Sequence, residues 1–460
     1  MTQDDLAELS REELMQMILV QSEQLAQLKA DYEALRQKLE KGKKPPTNSS
    51  NSSQPPSRDH KRSLPADRHK RKHGPAAGHA KHERQFVANP DRVVAVKAET
   101  CLSCDTDMRK TEGVLRDVNQ ITELPPARGE VIEVRQYEMT CPECGKIHVG
   151  KPPLGLEMER VFGARLEATV VYYRQEQHMS YQRTQAALAN LHGVKVSQGG
   201  IDKIMQRAGK RALREVDPIQ EGVRQSAVIH SDETGSRVDA SNWWEWVFCT
   251  MTDVLHVMRF NRSSDVIQDV MDKHQAEVWV SDCLASQLKA PAQQRQICLA
   301  HQLRNLQAVI DLDPIAFWPQ AMQAIFRYAI HLHGQRQQLP AEQFFQQVRR
   351  IEQLCDCLLN RSLSQDQAAR LQRRYLKHRQ SLFVFLYRSD VDPTNNRSER
   401  ALRPSVIHRK VTGGFRSGWG ARAYAALASL IDTAELHDVH AFDVLQSLCG
   451  LPSLPLPSGP

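Results

Sequence analysis

Residues 227–260 read AVIHSDETGSRVDASNWWEWVFCTMTDVLHVMRF, and the order of runs within them sets the fold. Ala227–His230 is short and apolar, the composition of a buried strand. It ends in Ser231-Asp232-Glu233-Thr234-Gly235, where Glu233-Thr234-Gly235 reads as the start of a turn. Trp243–Thr250 and Leu255–Phe260 follow as meander strands. Next, Ser263 or Ser264 caps a helix through Met271. Glu277–Ser281 is another buried run and ends in Asp282; Gln296–Leu299 is a fifth, with a helix from about His301.

The resulting order, three strands, a helix and two further strands, fits an α/β chain with an RNase H-like core. In such a sheet the first and fourth strands are neighbours, which brings Asp232 and Asp282 together at the carboxyl edge, where clefts form. Adjacent strand residues point to opposite faces, so only one of Asp232 and Glu233 can serve this site. Asp232 is the choice, because Glu233 belongs to the expected turn. Paired carboxylates suit Mg2+ or Mn2+. Glu399 is the candidate third ligand, at the start of a helix after Asn395-Asn396. A site of three carboxylates and two metals performs in-line phosphoryl displacement.

Outward from this core, residues about 302–390 are polar and helical, a helical insertion into a catalytic region spanning 223–450. Residues 392–400, DPTNNRSER, read as a turn entering a helix, and Ala421–Glu435 is helical. Arg400, Arg403, Arg409, Lys410 and Arg416 lie around Glu399 and the Gly413-Gly414 pair, suited to DNA phosphates or to acid partners. Cys298-x-x-His301 offers metal binding or packing, and Trp243, Trp244 and Trp246 read as core and strand packing, with base stacking by one of them as the alternative. Residues 451–460 read as a disordered tail.

Toward the N-terminus, residues 156–222 are helical. Ser180 caps one helix and Ser197 a second, with Gly193 between them, either a helix-turn-helix for DNA or a packing hairpin. Residues 84–155 hold β-like runs at Asp91–Lys97 and Glu130–Met139, with Cys101-x-x-Cys104 and Cys141-x-x-Cys144. Two such pairs form a tetrahedral four-thiolate site for structural Zn2+. Residues 43–83 read as a basic disordered linker whose Arg68, Lys70, Arg71 and Lys72 can neutralise DNA phosphates. Residues 1–42 carry about four heptads, with Ile18, Leu25, Tyr32 and Leu39 on one seam, a coiled coil that predicts a homodimer or higher oligomer.

The 460 residues are 40% hydrophobic and 25% charged, as in an ordinary globular protein. No apolar run is long enough to span a membrane, and the acidic N-terminus is not a secretory signal, so a cytoplasmic, nucleoid-associated location is expected. A net charge of +7 permits a nucleic-acid partner. Ten cysteines in such a chain are not a disulfide scaffold.

The strings HSDETGSRV, NWWEWVF, VWVSDC, CLAHQLRNL and DPTNNRSERALRPSVIHRKVTGGFRSGWGARAYAALASLIDTA, in this order, resemble the insertion sequence 66 family of bacterial DDE transposases. So do the leucine-rich first helix, the KPPTNSSNSSQPPS linker and the double CxxC module. The resemblance covers about residues 10–450, and the Asn395–Arg403 string is its most specific part. It implies an RNase H-like catalytic domain with a helical insertion, two divalent metals, and an acidic triad of Asp232, Asp282 and Glu399. It further implies cleavage at transposon ends and strand transfer into target double-stranded DNA, with accessory proteins of the same element as further candidate partners. Ser236 departs from the pattern, standing where many relatives have an aromatic residue. Two other readings are a non-catalytic DNA-binding protein and an RNase H-like nuclease.

Overall fold

The structure is a computed structural model that describes residues 85–124, 127–153 and 155–450. The expected coiled coil, basic linker and C-terminal tail lie outside the described residues. In chain order the elements are β1 (Glu138–Thr140), β2 (Ile147–Val149), α1 (Ala164–Gln175), α2 (Tyr181–His192), α3 (Gln198–Glu215), α4 (Asp217–Gln225), β3 (Val228–Val238), β4 (Ser241–Cys249), β5 (Val254–Arg259), α5 (Asp265–Met271), β6 (Ala276–Ser281) and β7 (Ala292–Ile297). They continue with α6 (Leu299–Leu312), α7 (Phe317–Gly334), α8 (Ala341–Leu359), α9 (Asp366–Lys377), α10 (Asn396–Thr412), α11 (Gly418–Leu436) and α12 (Ala441–Leu448). The chain divides into two units: residues 61–131 with 187–195, and the remainder.

In the smaller unit the expected strand Asp91–Lys97 does not form, and in the larger the run Glu130–Met139 is a strand only from Glu138. Val93, Val94, Val96 and Val131 are exposed there. A β-branched composition without a partner strand leaves its backbone groups unpaired, so propensity alone does not make a strand.

The larger unit holds a five-stranded sheet in the order β5-β4-β3-β6-β7. β3, β4 and β5 pair antiparallel, while β6 and β7 run parallel to β3. The turn expected at Glu233-Thr234-Gly235 is instead strand, since these residues pair with Trp246, Glu245 and Trp244 of β4. Cross-strand packing on the aromatic strand outweighs the turn preference of glycine. The chain reverses at Asp239 and Ala240, with φ of 46° and 57°, the left-handed pair of a tight hairpin.

Helices bury the sheet on both faces. Val278 and Val280 join a large apolar core with Leu299, Phe326, Phe344, Tyr375 and Phe385 from the helical region after β7. That region is helical as expected, and its first helix opens at Leu299. Val238 and Met258 pack instead on Ala421, Tyr424 and Ala425 of α11. Each large side chain so buried contributes about 1.5–3 kcal/mol. Along β5, the Thr433 hydroxyl accepts from Val254 N at 3.0 Å and the Ser429 hydroxyl from His256 N at 2.8 Å. Two residues i, i+4 on α11 thus reach two outward amides of the edge strand.

α3 and α11 begin alike. Ser197 Oγ accepts from Gly200 N at 3.0 Å, and Ser417 Oγ accepts from Gly420 N at 3.1 Å. Each cap satisfies one of the amides that a helix start leaves unpaired.

Candidate active site

Parallel pairing of β3 with β6 sets His230 opposite Val280. The same register carries Asp232 level with Asp282, each at the carboxyl side of that pairing. Asp232 Oδ1 accepts from Glu233 N at 2.9 Å, and Asp282 Oδ1 accepts from Leu284 N at 2.8 Å. Burial holds the Asp232 carboxyl well above its ordinary range, and the charges of Glu233, Asp282 and Glu399 push the same way. Asp282 and Glu399 thus both lie close enough to act on Asp232.

Glu399 sits in the first turn of α10, and the start of that helix is pinned to the sheet. Asn395 is fully buried, and its Nδ2 donates to Ser231 O, one residue before Asp232, at 2.8 Å. Asn395 N donates to Cys298 Sγ at 3.1 Å, and the Ser398 hydroxyl donates to Asn395 Oδ1 at 2.6 Å. Leu299 N donates to Pro393 O at 2.9 Å. The string 393–398 is thus a buried bracket fixing where α10 leaves the sheet edge.

Glu233 faces the other way. Arg262 donates to its Oε1 at 2.6 and 3.0 Å, and Gln287 Nε2 to its Oε2 at 2.7 Å. Gln287 in turn accepts from Trp279 Nε1 at 3.1 Å. Alternation along the strand turns the two side chains apart, although the segment is not a turn, yet Glu233 still acts on Asp232 and is itself acted on by Asp282.

Arg304, which sequence reasoning missed, donates to Glu399 at 3.2 and 3.4 Å. Its signal was its place three residues beyond His301 on one helix face. His301 Nδ1 lies 3.6 Å from Glu399 Oε1. Cys298, His301 and Glu399 have ligand atoms within 4.8 Å of one another. Burial pushes the Cys298 thiol up to about 11, so it stays protonated and serves the Asn395 contact. The three carboxylates are hard oxygen donors and suit Mg2+ or Mn2+. Their mutual repulsion, visible at Asp232, is the condition a divalent cation relieves.

Arg400, Arg403, Lys410 and Arg416 are exposed, while Arg409 donates to the Thr234 hydroxyl at 3.4 Å. Arg68, Lys70, Arg71 and Lys72 lie outside the described residues. Trp246 is buried, whereas Trp244 carries the Arg262 guanidinium 4.5 Å above its ring.

The two cysteine pairs adopt the same local turn. Cys101 N donates to Thr106 O and Asp105 N to Cys101 O, both at 2.9 Å. Cys141 N donates to Lys146 O and Gly145 N to Cys141 O, again at 2.9 Å. Asp105 and Gly145 take φ of 55° and 67°. Hydrogen bonds hold Cys104 and Cys141 below the ordinary thiol range: for Cys104 the Thr106 side chain leads, and for Cys141 the backbone of Cys144.

A mixed sheet flanked by helices, with Asp232 inside β3 just past its pairing with β6 and Asp282 directly after β6, is consistent with an α/β transposase domain. Residues 159–423 match the family described as Transposase IS66 family, and the chain belongs to that family. Among curated proteins no match to the chain is found. The family consists of DNA-handling enzymes, and no helix among the described residues is long and apolar enough to cross a membrane.

Proposed function

We propose that this chain is an active DDE transposase that cuts the ends of its own insertion sequence and joins them to target DNA. The observation that carries this reading is the level placement of Asp232 and Asp282 on parallel strands, with Glu399 acting on Asp232. Asp232, Asp282 and Glu399 would hold two divalent cations, which supply Lewis acidity and an activated oxygen nucleophile when bound. Asn395 fixes the third carboxylate against the sheet, and Arg304 restrains the Glu399 side chain. The sheet order β5-β4-β3-β6-β7, with the first three strands antiparallel, supports an RNase H-like core. Exposed Arg400, Arg403, Lys410 and Arg416 fit phosphate contacts along α10 and the loop after it.

We further propose that the Cys101/Cys104 and Cys141/Cys144 pairs each offer thiolates to structural Zn2+, supported by the local turn that each pair adopts and by the lowered thiols at Cys104 and Cys141. The N-terminal heptads would pair two protomers, as handling two ends requires.

The test is incubation of the full chain and Mg2+ or Mn2+ with labelled DNA carrying the repeats that flank its gene. New 3′ ends and joined products are expected, and both should vanish in Asp232→Asn and Glu399→Gln. Cleavage without joining would favour the nuclease reading. Binding without either would favour a non-catalytic DNA-binding protein.

A further inference from the structure

Away from the carboxylates, a cavity of ≈ 790 Å³ opens between α1, α3, α10 and α11. Its size suits a compact organic ligand. Tyr181, Phe415, Trp419 and Tyr424 give it aromatic walls, and Arg174 and Arg416 line it too. The helix starts described above both border it, through Gln198 and Gly199 on one side and Trp419 and Gly420 on the other. The amides of Gln198, Gly199, Gly418 and Trp419 have no partner among the described residues. Two capped helix starts therefore present unpaired N–H groups, a setting that favours an anion.

Three further observations point to a missing ligand. Gln175 is 2% exposed and lines the cavity, yet its Oε1 has no donor among the described residues. Arg174 Nε, also buried, has no acceptor among them. Unmet groups of this kind cost about 1–3 kcal/mol each unless something binds them. Finally, a β-carbon on Gly199 would meet nothing within 4 Å. Glycine there serves neither packing nor an unusual φ, and it leaves the backbone open to close approach.

The cavity also has polarity along its length. Asp202 lines the α3 side, its carboxylate accepting from the Tyr181 hydroxyl at 3.0 Å and from Gln206 Nε2 at 2.8 Å. That side and Gln175 Oε1 offer acceptors to the edge of a planar ring. Arg416 and the α11 start offer donors to an anion. A flat heterocycle between aromatic walls with a phosphate at one end satisfies both.

We infer that this cavity binds one nucleotide swung out of the transposon-end DNA, its base between the aromatic walls and its phosphate at the start of α11. The inference rests on the reading of the chain as a DNA-cutting transposase. Glu399 begins α10, and His408 and Thr412 at the other end of that helix line the cavity. The separation along the helix is about 14–20 Å at ~1.5 Å per residue. A strand rising ~3.4 Å per nucleotide covers that in about four to six nucleotides. Exposed Arg400, Arg403 and Lys410 lie on α10 between the two places.

The test is photo-crosslinking with 5-bromouracil, placed singly at positions three to eight from the cut in the end DNA. The full chain is used, with Ca2+ in place of Mg2+. A second arm uses free 5-bromo-2′-deoxyuridine 5′-monophosphate. Label on the Tyr181 or Trp419 peptide from one of positions four to six is the expected result. Gly199→Leu should cut that label at least about tenfold while the melting temperature holds or rises. Label from the free nucleotide alone, with no DNA bound, would keep the cavity as a nucleotide site and sink the transposase reading. DNA that is bound and, with Mg2+, cut, but labels these peptides in neither arm, would overturn the cavity proposal alone. Label that persists in Gly199→Leu would overturn it as well.

Discussion

Glu245 and Asp432 flank the ring of His256, while Asp282 and Glu399 act on Asp232, and among the described residues Arg304 is the cation paired with this group, at Glu399. Both groups of acids belong to the same sheet and its helices. In the first, His256 Nδ1 lies 3.0 Å from Glu245 and Nε2 2.9 Å from Asp432. Ser405 adds a donor to Glu245 at 2.7 Å. These carboxylates hold the buried imidazole protonated, at about 10, against the desolvation that opposes it. In the second group burial first, and then the charges of Glu233, Asp282 and Glu399, raise Asp232 instead. One cluster holds a cation of the protein at its centre; on the proposed function a bound metal would supply the charge for the other. Buried acids are thus informative by their partners, not by their number.

The sharpest way to break this contrast is Asp232→Asn or Asp282→Asn. Each should lower end cleavage about 10³-fold, equivalent to ~4 kcal/mol, without lowering the melting temperature, because repulsion is removed. A comparable loss of stability would make the acids structural.

His256→Leu should do the reverse. It leaves Glu245 and Asp432 buried without their cation, and urea unfolding should show a loss of about 3–5 kcal/mol. The pH dependence follows in sign. His256 has a folded value of about 10 against an ordinary 6.5. Its contribution is therefore complete below pH 6.5 and lost as pH rises through 10. Denaturation midpoints measured from pH 6.5 to 10 should fall, and Glu245→Gln with Asp432→Asn should flatten the fall.

A smaller effect distinguishes the clusters by ligand. Mg2+ at a hundredfold over its Kd should stabilise the chain by about 2.7 kcal/mol, read as a rise in melting temperature. The rise should disappear in Asp232→Asn and persist in His256→Leu. The smallest effect is expected from Arg304→Met. Both partners of that pair are about a third exposed or less, and such contacts are worth about 0–1 kcal/mol. Cleavage should drop less than about tenfold; a larger loss would put Arg304 in direct contact with DNA.

Four strands of the central sheet were legible from their apolar runs, and so was the placing of Asp232 near Asp282, because strand order sets the first strand beside the fourth; β7, expected at Gln296–Leu299, is instead Ala292–Ile297, a polar edge strand that no apolar run marks. Ser197 declared its cap. Glu233-Thr234-Gly235 misled, since local turn preference says nothing of the aromatic partners waiting on β4. The runs at 91–97 and 130–137 misled for the converse reason: strand composition is realised only against a partner. Arg304 and the Gln175 cavity depend on side chains meeting from helices distant in sequence, which no periodicity reports. The same holds for His256, which in sequence is one polar residue inside an apolar run.

The hydroxyls of Ser429 and Thr433 on β5 bear on assembly. They occupy amides through which another strand would otherwise add, and at the far edge Gln296 of β7 reaches Leu382 O and Phe385 N. Strand addition at β5 would have to displace these hydroxyls, which blunts that edge as a template for edge-to-edge aggregation. On the proposed function, pairing of two protomers through helices or arms, with no strand added at β5, would keep the place where β3 and β6 part free for DNA.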